Sequence, residues 1–199
     1  DKSSIDLSES VYLCLKSDRE DGLIPTVVCD ERMVSLGLVY SNRESIRASI
    51  VSKRGVYWSR SRNGLWKKGD TSGAWQYLRS IEVDCDSDAL RYAVYQHGTP
   101  PAFCHFNRRN CWGDEKGLGA LEKTLIERKK TAPEGSYSKR LFDDSNLLRS
   151  KLVEEAQELF EAESKDEVAS EAADLMYFAM VKCVKAGVGL EDVENWLNR

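Results

Sequence analysis

Apolar and polar positions change rhythm near the middle of the chain, from short alternating runs to steps of three and four. Between residues 21 and 112 the apolar positions fall in five short runs, Leu23–Cys29, Val34–Tyr40, Gly55–Ser61, Tyr77–Asp84 and Leu90–Gln96. They are rich in β-branched and aromatic side chains and separated by turn residues, which predicts strands. One helix interrupts them at Asn42–Val51, where Arg43-Glu44-Ser45-Ile46-Arg47 and Ile50 keep helical spacing. Asn63-Gly64 marks a turn. This half is expected to be α+β with a mainly antiparallel sheet.

After Cys111 a polar connector, Trp112-Gly113-Asp114-Glu115-Lys116-Gly117, leads into four predicted helices near residues 118–130, 145–163, 166–185 and 190–198. Ser145 is placed to cap the second, and Ser164-Lys165-Asp166-Glu167 spells a capping box for the third. Gly187 and Gly189 end that helix. Leu148, Leu152, Ala156 and Leu159 form an apolar stripe along the second. The pattern therefore divides the chain into an extension over residues 1–20, an α+β domain over 21–114, a connector over 115–120 and an all-α domain over 121–199. No internal repeat or low-complexity segment stands out.

The 199 residues suffice for two small cores, and the hydrophobic fraction of 41% is ordinary for a globular chain. No apolar run approaches the ~18 residues of a membrane helix. The start, Asp1-Lys2-Ser3-Ser4, is polar, without a signal-peptide core and without an initiator Met, and reads as the beginning of an excised segment. A net charge of −4 argues against general affinity for nucleic acid or anionic membrane. The charge is unevenly spread, however. Residues 53–68 hold six basic side chains and no acidic one, whereas 151–174 hold nine acidic side chains against Lys151 and Lys165. The first stretch suits an anion and the second a cation, although solvated charged faces are common. The six cysteines, Cys14, Cys29, Cys85, Cys104, Cys111 and Cys183, permit disulfides by number, but without a secretory signal a reducing setting is expected.

Two constellations carry chemistry. In the first, Asp84-Cys85-Asp86-Ser87-Asp88 ends a predicted strand, so alternation turns the three carboxylates to one side and Cys85 to the other. Three carboxylates make a hard oxygen site suited to Mg²⁺. Cys85 with Cys104 and Cys111 would make a thiolate site with one open position, suited to catalytic Zn²⁺, with His105 next to it as general acid or base. Spacings of 19 and 7 match no ordinary zinc finger, so spacing alone leaves the zinc open. In the second, Glu154, Glu155 and Glu158 cover an arc of roughly 100° on one helix. Glu171 and Asp174, three apart, share a face of the next. A solvated Glu-rich face is the commoner meaning of either alone; together they suit Mg²⁺ gripping substrate phosphates.

Gly22-Leu23-Ile24-Pro25, Trp58-Ser59-Arg60-Ser61-Arg62, Leu65-Trp66-Lys67-Lys68-Gly69-Asp70-Thr71-Ser72-Gly73, Asp84-Cys85-Asp86-Ser87-Asp88-Ala89-Leu90 and Cys104-His105…Cys111 follow one another along the first half. In these motifs and their order it resembles phosphoribosyl-AMP cyclohydrolase. The resemblance implies Mg²⁺ on Asp84, Asp86 and Asp88. It also implies Zn²⁺ held by Cys85 of one subunit with Cys104 and Cys111 of the other, in an intertwined homodimer. The implied reaction opens the six-membered ring of an N1-ribosylated adenine by attack of zinc-bound hydroxide at C6. Arg60, Arg62 and Lys68 would contact phosphate, with Trp66, Thr71 and Ser72 as further substrate contacts. Phe106-Asn107 replaces the family's usual Thr-Gly, and Asp70 its usual Glu.

The second half resembles the all-α MazG-type pyrophosphohydrolases. Within them, Pro133-Glu134-Gly135-Ser136-Tyr137-Ser138-Lys139-Arg140-Leu141 followed by Lys151, Glu154, Glu155 and Glu158 is similar to phosphoribosyl-ATP pyrophosphohydrolase. By that resemblance Glu154, Glu155, Glu158, Glu171 and Asp174 bind Mg²⁺, Tyr137, Lys139 and Lys151 contact substrate, and pyrophosphate is released. The product of this half is the substrate of the other, so fusion is coherent. Gly37-Leu38-Val39-Tyr40-Ser41 and Gly55-Val56-Tyr57 resemble fungal multifunctional histidine-biosynthesis proteins, which implies a cytoplasmic enzyme with a histidinol dehydrogenase domain further along. Two readings compete: a housekeeping nucleotide pyrophosphatase with a zinc-stabilised structural domain, and an RNA-binding module built on Arg60, Arg62, Trp66, Lys67 and Lys68.

Overall fold

The structure, a computed structural model, describes residues 6–199; the polar start read above lies outside them. The chain divides into two units between Asp114 and Glu115. Among the described residues no helix is long and apolar enough to cross a membrane.

The first unit contains helix α1 (Leu7–Leu13), strands β1 (Ile24–Cys29) and β2 (Ser35–Ser41), helix α2 (Arg43–Ser52), and strands β3 (Val56–Ser59), β4 (Gly64–Lys67), β5 (Gln76–Val83) and β6 (Leu90–Gln96). The strands form one sheet in the order β4-β3-β2-β1-β6-β5. Every pairing is antiparallel except that of the central β1 and β6, where Thr26 faces Leu90 and Cys29 faces Ala93. Ile24, Val28, Leu36, Val39, Leu90, Tyr92 and Val94 supply the covered face, and Ile46 of α2 and Phe103 close over it. Asn42 starts α2 through a reciprocal cap with Ser45.

Three short elements escape the sequence pattern. Helix α1 lies inside the stretch read as an extension, with Asp6 accepting from the Ser8 and Glu9 N–H groups and Val11 and Tyr12 packed against the core. Strand β4 pairs Ser59 with Gly64 and Val56 with Lys67, so Asn63-Gly64 ends a four-residue hairpin loop rather than opening a long one. Four residues are too few to show a period.

The second unit is helical: α3 (Gly117–Thr131), α4 (Tyr137–Asp143), α5 (Ser145–Glu161), α6 (Lys165–Ala186) and α7 (Leu190–Leu197). Its core joins Leu125, Leu141, Phe142, Leu148, Phe178, Val181 and Val184. Helix α3 begins inside the stretch read as connector. The third missed element, α4, has only two turns, yet it buries Leu141 and Phe142. The capping box at Ser164 and Glu167 is present, and Gly187 ends α6 at φ +75°.

Two caps are corrected. Asp144, not Ser145, caps α5, accepting from the Asn146 and Leu147 N–H groups at 2.8 and 3.0 Å. A carboxylate there also meets the positive end of the helix dipole. Gly189 opens α7 instead of closing α6, its N–H donating to Asp192. The apolar stripe of α5 is rotated as well. Leu148 is buried, but Ala156 is exposed and Glu155 takes the covered position.

Candidate metal centres

Beyond β6 the chain makes a tight hairpin that carries two thiols. The Phe103 and Cys104 N–H groups donate to Arg109 O and Arg108 O, and Asn107 N–H donates back to Cys104 O at 3.1 Å. Asn107 turns the hairpin at φ +58°. Asn tolerates this left-handed conformation better than other residues with a side chain, so it does at this point what the Gly of the family pattern would do. Cys111 is fixed by its N–H to Leu36 O at 2.8 Å. Arg109 ties the hairpin to the β1–β2 turn through Asp30 at 3.0 Å and Glu31 at 3.2 Å.

Cys104 is buried and Cys111 exposed, and the Cys104 thiol lies close enough to act on that of Cys111. Burial, and then the Cys104 thiol, push the Cys111 thiol up, while Lys68 opposes them. Lys68 lies beneath the pair, 5% exposed, its ammonium donating to Ala102 O at 3.0 Å. His105 is exposed, its ring 4.0 Å from that of Phe106.

Gly37 on β2 leaves the room this hairpin needs. A Cβ there would stand 2.4 Å from the Phe103 ring and 3.1 Å from Cys111 Sγ. A glycine inside a strand pattern signals such a close approach, and the sequence reading did not use it. Gly37→Ala is expected to cost about 1–3 kcal/mol through overpacking, measured by denaturant unfolding. An unchanged midpoint would show that Phe103 is free to move.

The aspartates sit at the other end of β6. Strand β5 stops at Val83, and residues 84–89 form a bend with Ser87 at φ +72°. Strand alternation therefore does not place the trio; the loop curls instead. Asp84 Oδ1 accepts from the Asp88 and Ala89 N–H groups, both at 3.0 Å. The carboxylates of Asp84, Asp86 and Asp88 offer oxygens within 4.8 Å of one another. The Ala89 N–H holds Asp84 below the usual carboxylate value, whereas the Asp86 charge pushes Asp88 above it. Such crowded oxygens are the donor set a hard divalent cation requires.

Cys85 is exposed on this loop, its Sγ 3.9 Å from Asp86 Oδ1. The loop enters β6 at Leu90, and the hairpin with Cys104 and Cys111 follows its last residue, Gln96. Among the described residues one chain brings Cys104 and Cys111 together but does not gather Cys85 with them into a ligand-close trio.

The remaining candidates of this unit are scattered. The Arg60 guanidinium lies 4.1 Å over the Tyr40 ring and borders a cleft of about 860 Å³, also lined by Asn42, Arg43, Arg47 and Trp58. None of those four was named as a substrate contact in the sequence. Arg62 is exposed on the β3–β4 hairpin, and Trp66 packs against Tyr57 at 5.7 Å. Thr71 and Ser72 lie in an exposed loop, where Ser72 Oγ accepts from Ala74 N–H. Asp70 pairs with Arg54 at 3.5 Å.

In the second unit α5 and α6 pack side by side. Glu155, Glu158 and Glu171 bring carboxylate oxygens within 4.8 Å of one another, with Glu155 buried. Desolvation, followed by the charges of Glu158, Asp174 and Glu155, pushes Glu171 up. Asp174 thus belongs to the same field without joining the close trio. Glu154 is held aside by Lys151 at 2.7 Å, and Lys151 also reaches Glu155 at 3.4 Å. Tyr137 begins α4, half exposed, and Lys139 pairs with Asp143 at 3.5 Å and Glu134 at 3.9 Å.

Known proteins fit this division. A family model described as phosphoribosyl-AMP cyclohydrolase matches residues 37–113, and one described as phosphoribosyl-ATP pyrophosphohydrolase matches 118–199. The histidine biosynthesis trifunctional protein of Komagataella pastoris is 53% identical over the whole chain, which spans 23% of its length. The bifunctional protein his7 of Schizosaccharomyces pombe is 51% identical over 98% of the chain, which spans 46% of it. The chain therefore covers less than half of these fungal relatives. The histidine biosynthesis bifunctional protein HisIE of Thermus thermophilus is 37% identical, with 89% of this chain matched to 88% of that one. With both halves matched in order and that relative covered almost end to end, the chain belongs to the family of histidine biosynthesis bifunctional proteins, a phosphoribosyl-AMP cyclohydrolase unit followed by a phosphoribosyl-ATP pyrophosphohydrolase unit.

Proposed function

We propose that this chain is a bifunctional hydrolase of histidine biosynthesis, removing pyrophosphate from phosphoribosyl-ATP in its helical unit and opening the adenine ring of phosphoribosyl-AMP in its sheet unit. The observation that carries the reading is that each unit gathers its own close carboxylate trio, on residues that the family resemblance marks.

In the helical unit Glu155, Glu158 and Glu171 would hold Mg²⁺, with Asp174 and Glu154 at its margin. Bound there, the cation would offset their mutual repulsion and the charge of the substrate phosphates. Lys151, tethered to Glu154 and Glu155, stands ready to meet phosphate, and Tyr137 and Lys139 border the approach. Water adds to phosphorus between the α and β phosphates, and the P–O bond to pyrophosphate breaks.

In the sheet unit Asp84, Asp86 and Asp88 would hold Mg²⁺. Cys104 and Cys111 would hold Zn²⁺ with Cys85 of a second copy, since among the described residues one chain does not gather the three thiols. Three thiolates with an open position suit a zinc that acidifies a water. His105, exposed beside Cys104, is placed to move the proton as water adds to C6 and the N1–C6 bond breaks. Arg60 and Arg62, both exposed in the basic segment, would receive phosphate. A homodimer is thus part of the reading, as are the further domains of the longer fungal relatives.

The test is incubation of the metal-loaded protein with phosphoribosyl-ATP, following pyrophosphate and the ring-opened product separately. Both are expected, pyrophosphate first. Hydrolysis of ordinary deoxynucleoside triphosphates with no ring opening would replace this reading with that of a housekeeping pyrophosphatase.

A further inference from the structure

Lys68 places a charge where a sheet packs its core. It is 5% exposed, its backbone N–H donates to Gly55 O, and its ammonium reaches Ala102 O at 3.0 Å. The ammonium also lies 5.8 Å from the centre of the Phe103 ring. Burial pulls the Lys68 ammonium below its ordinary value, and the thiols of Cys111 and Cys104 oppose this. A buried ammonium is costly unless it is paired, and the Ala102 carbonyl satisfies only one of its three N–H groups. Its place in the basic stretch 53–68 suggests a phosphate contact, but a side chain this covered and already bonded two residues before Cys104 is badly placed to grip one. Arg60 and Arg62, both exposed, are not so constrained.

We propose that Lys68 is a positioning residue of the thiolate metal centre: its fixed positive charge offsets the surplus negative charge of three thiolates on a divalent ion, and its bond to Ala102 O steadies the hairpin that carries Cys104. Three thiolates on Zn²⁺ leave one net negative charge, which one ammonium balances. Partners beyond the ligands commonly set metal affinity in this way. The inference rests on the zinc reading above.

Zinc affinity of the intact chain is measured by competition with a chromogenic chelator for the parent, Lys68→Met, Lys68→Gln and Lys68→Arg, alongside kcat and KM for phosphoribosyl-AMP. Lys68→Met keeps length without charge; Lys68→Gln keeps a donor for Ala102 O and decides the matter if the Met variant fails to fold. Both neutral variants are expected to hold zinc about 10–100-fold more weakly, with Lys68→Arg recovering most of the loss. At saturating zinc, KM is expected to stay near the parent value. Parental zinc affinity in either neutral variant would overturn the proposal, as would equal weakness in Lys68→Arg, which points to packing. A raised KM with unchanged zinc affinity would return Lys68 to a phosphate contact. Failure of the parent itself to bind zinc would instead sink the zinc reading.

Discussion

Cys104→Ala and Cys85→Ala are each expected to abolish ring opening, by about a thousandfold or more, since several kcal/mol of charge stabilisation leaves with the metal. Pyrophosphate release is expected to continue, because its carboxylates belong to the other unit. The decisive result comes from mixing the two variants. Among the described residues one chain does not gather Cys85 with Cys104 and Cys111, so on the zinc reading a complete thiolate set draws on two copies. In a mixed dimer one site combines both lesions and the other has none. Random re-pairing puts half the chains in mixed dimers with one intact site of two, so about a quarter of parental activity should return. Co-expression followed by assay of the ring-opened product reads this directly. No recovery from a verified mixed dimer would show that the three thiols do not meet across copies. Full activity in either single variant would remove its cysteine from the reaction.

That geometry shows where sequence reasoning stops. Asn42, Ser164 and Glu167 could be read as caps because a cap needs only its next three residues. The long strand runs were legible for a similar reason, since burial of one face prints a period into five or more residues. Elements α1, β4 and α4 print none, although each contributes packing, because four to seven residues hold too few repeats. Asp84, Asp86 and Asp88 were rightly grouped for the wrong reason: the spacing suggested alternation, but the chain had already left the sheet at Val83 and is held by the Asp84 carboxylate accepting from the Asp88 and Ala89 N–H groups. The burial of Lys68 and of Glu155 could not be read locally. Each depends on what another element lays over it, the Cys104 hairpin in one case and α6 in the other. That Cys85 does not join Cys104 and Cys111 within one chain depends on the path of the loops on either side of β6, which spacing does not encode.

Glu171→Gln is expected to stabilise the metal-free protein while disabling pyrophosphate release. Burial and the charges of Glu158, Asp174 and Glu155 raise the Glu171 carboxyl above its ordinary value of 4.5. An acid raised in the folded state opposes folding when it is ionised, so its penalty is present above the raised value and vanishes as pH falls below 4.5. The variant should therefore melt higher than the parent at pH 7 without metal, and the advantage should disappear at pH about 4 and below, where both forms are neutral. Magnesium reverses the order of the two proteins. A cation that binds only the folded state raises the parent's melting temperature by mass action and finds a weakened site in the variant. Pyrophosphate release is expected to fall about a hundredfold or more with the loss of one carboxylate from the trio. Thermal melts of both proteins, with and without magnesium across this pH range, measure all of it. If magnesium stabilised both proteins equally, Glu171 would not be a ligand. A pH-independent gain would trace the added stability to packing rather than to crowded charge.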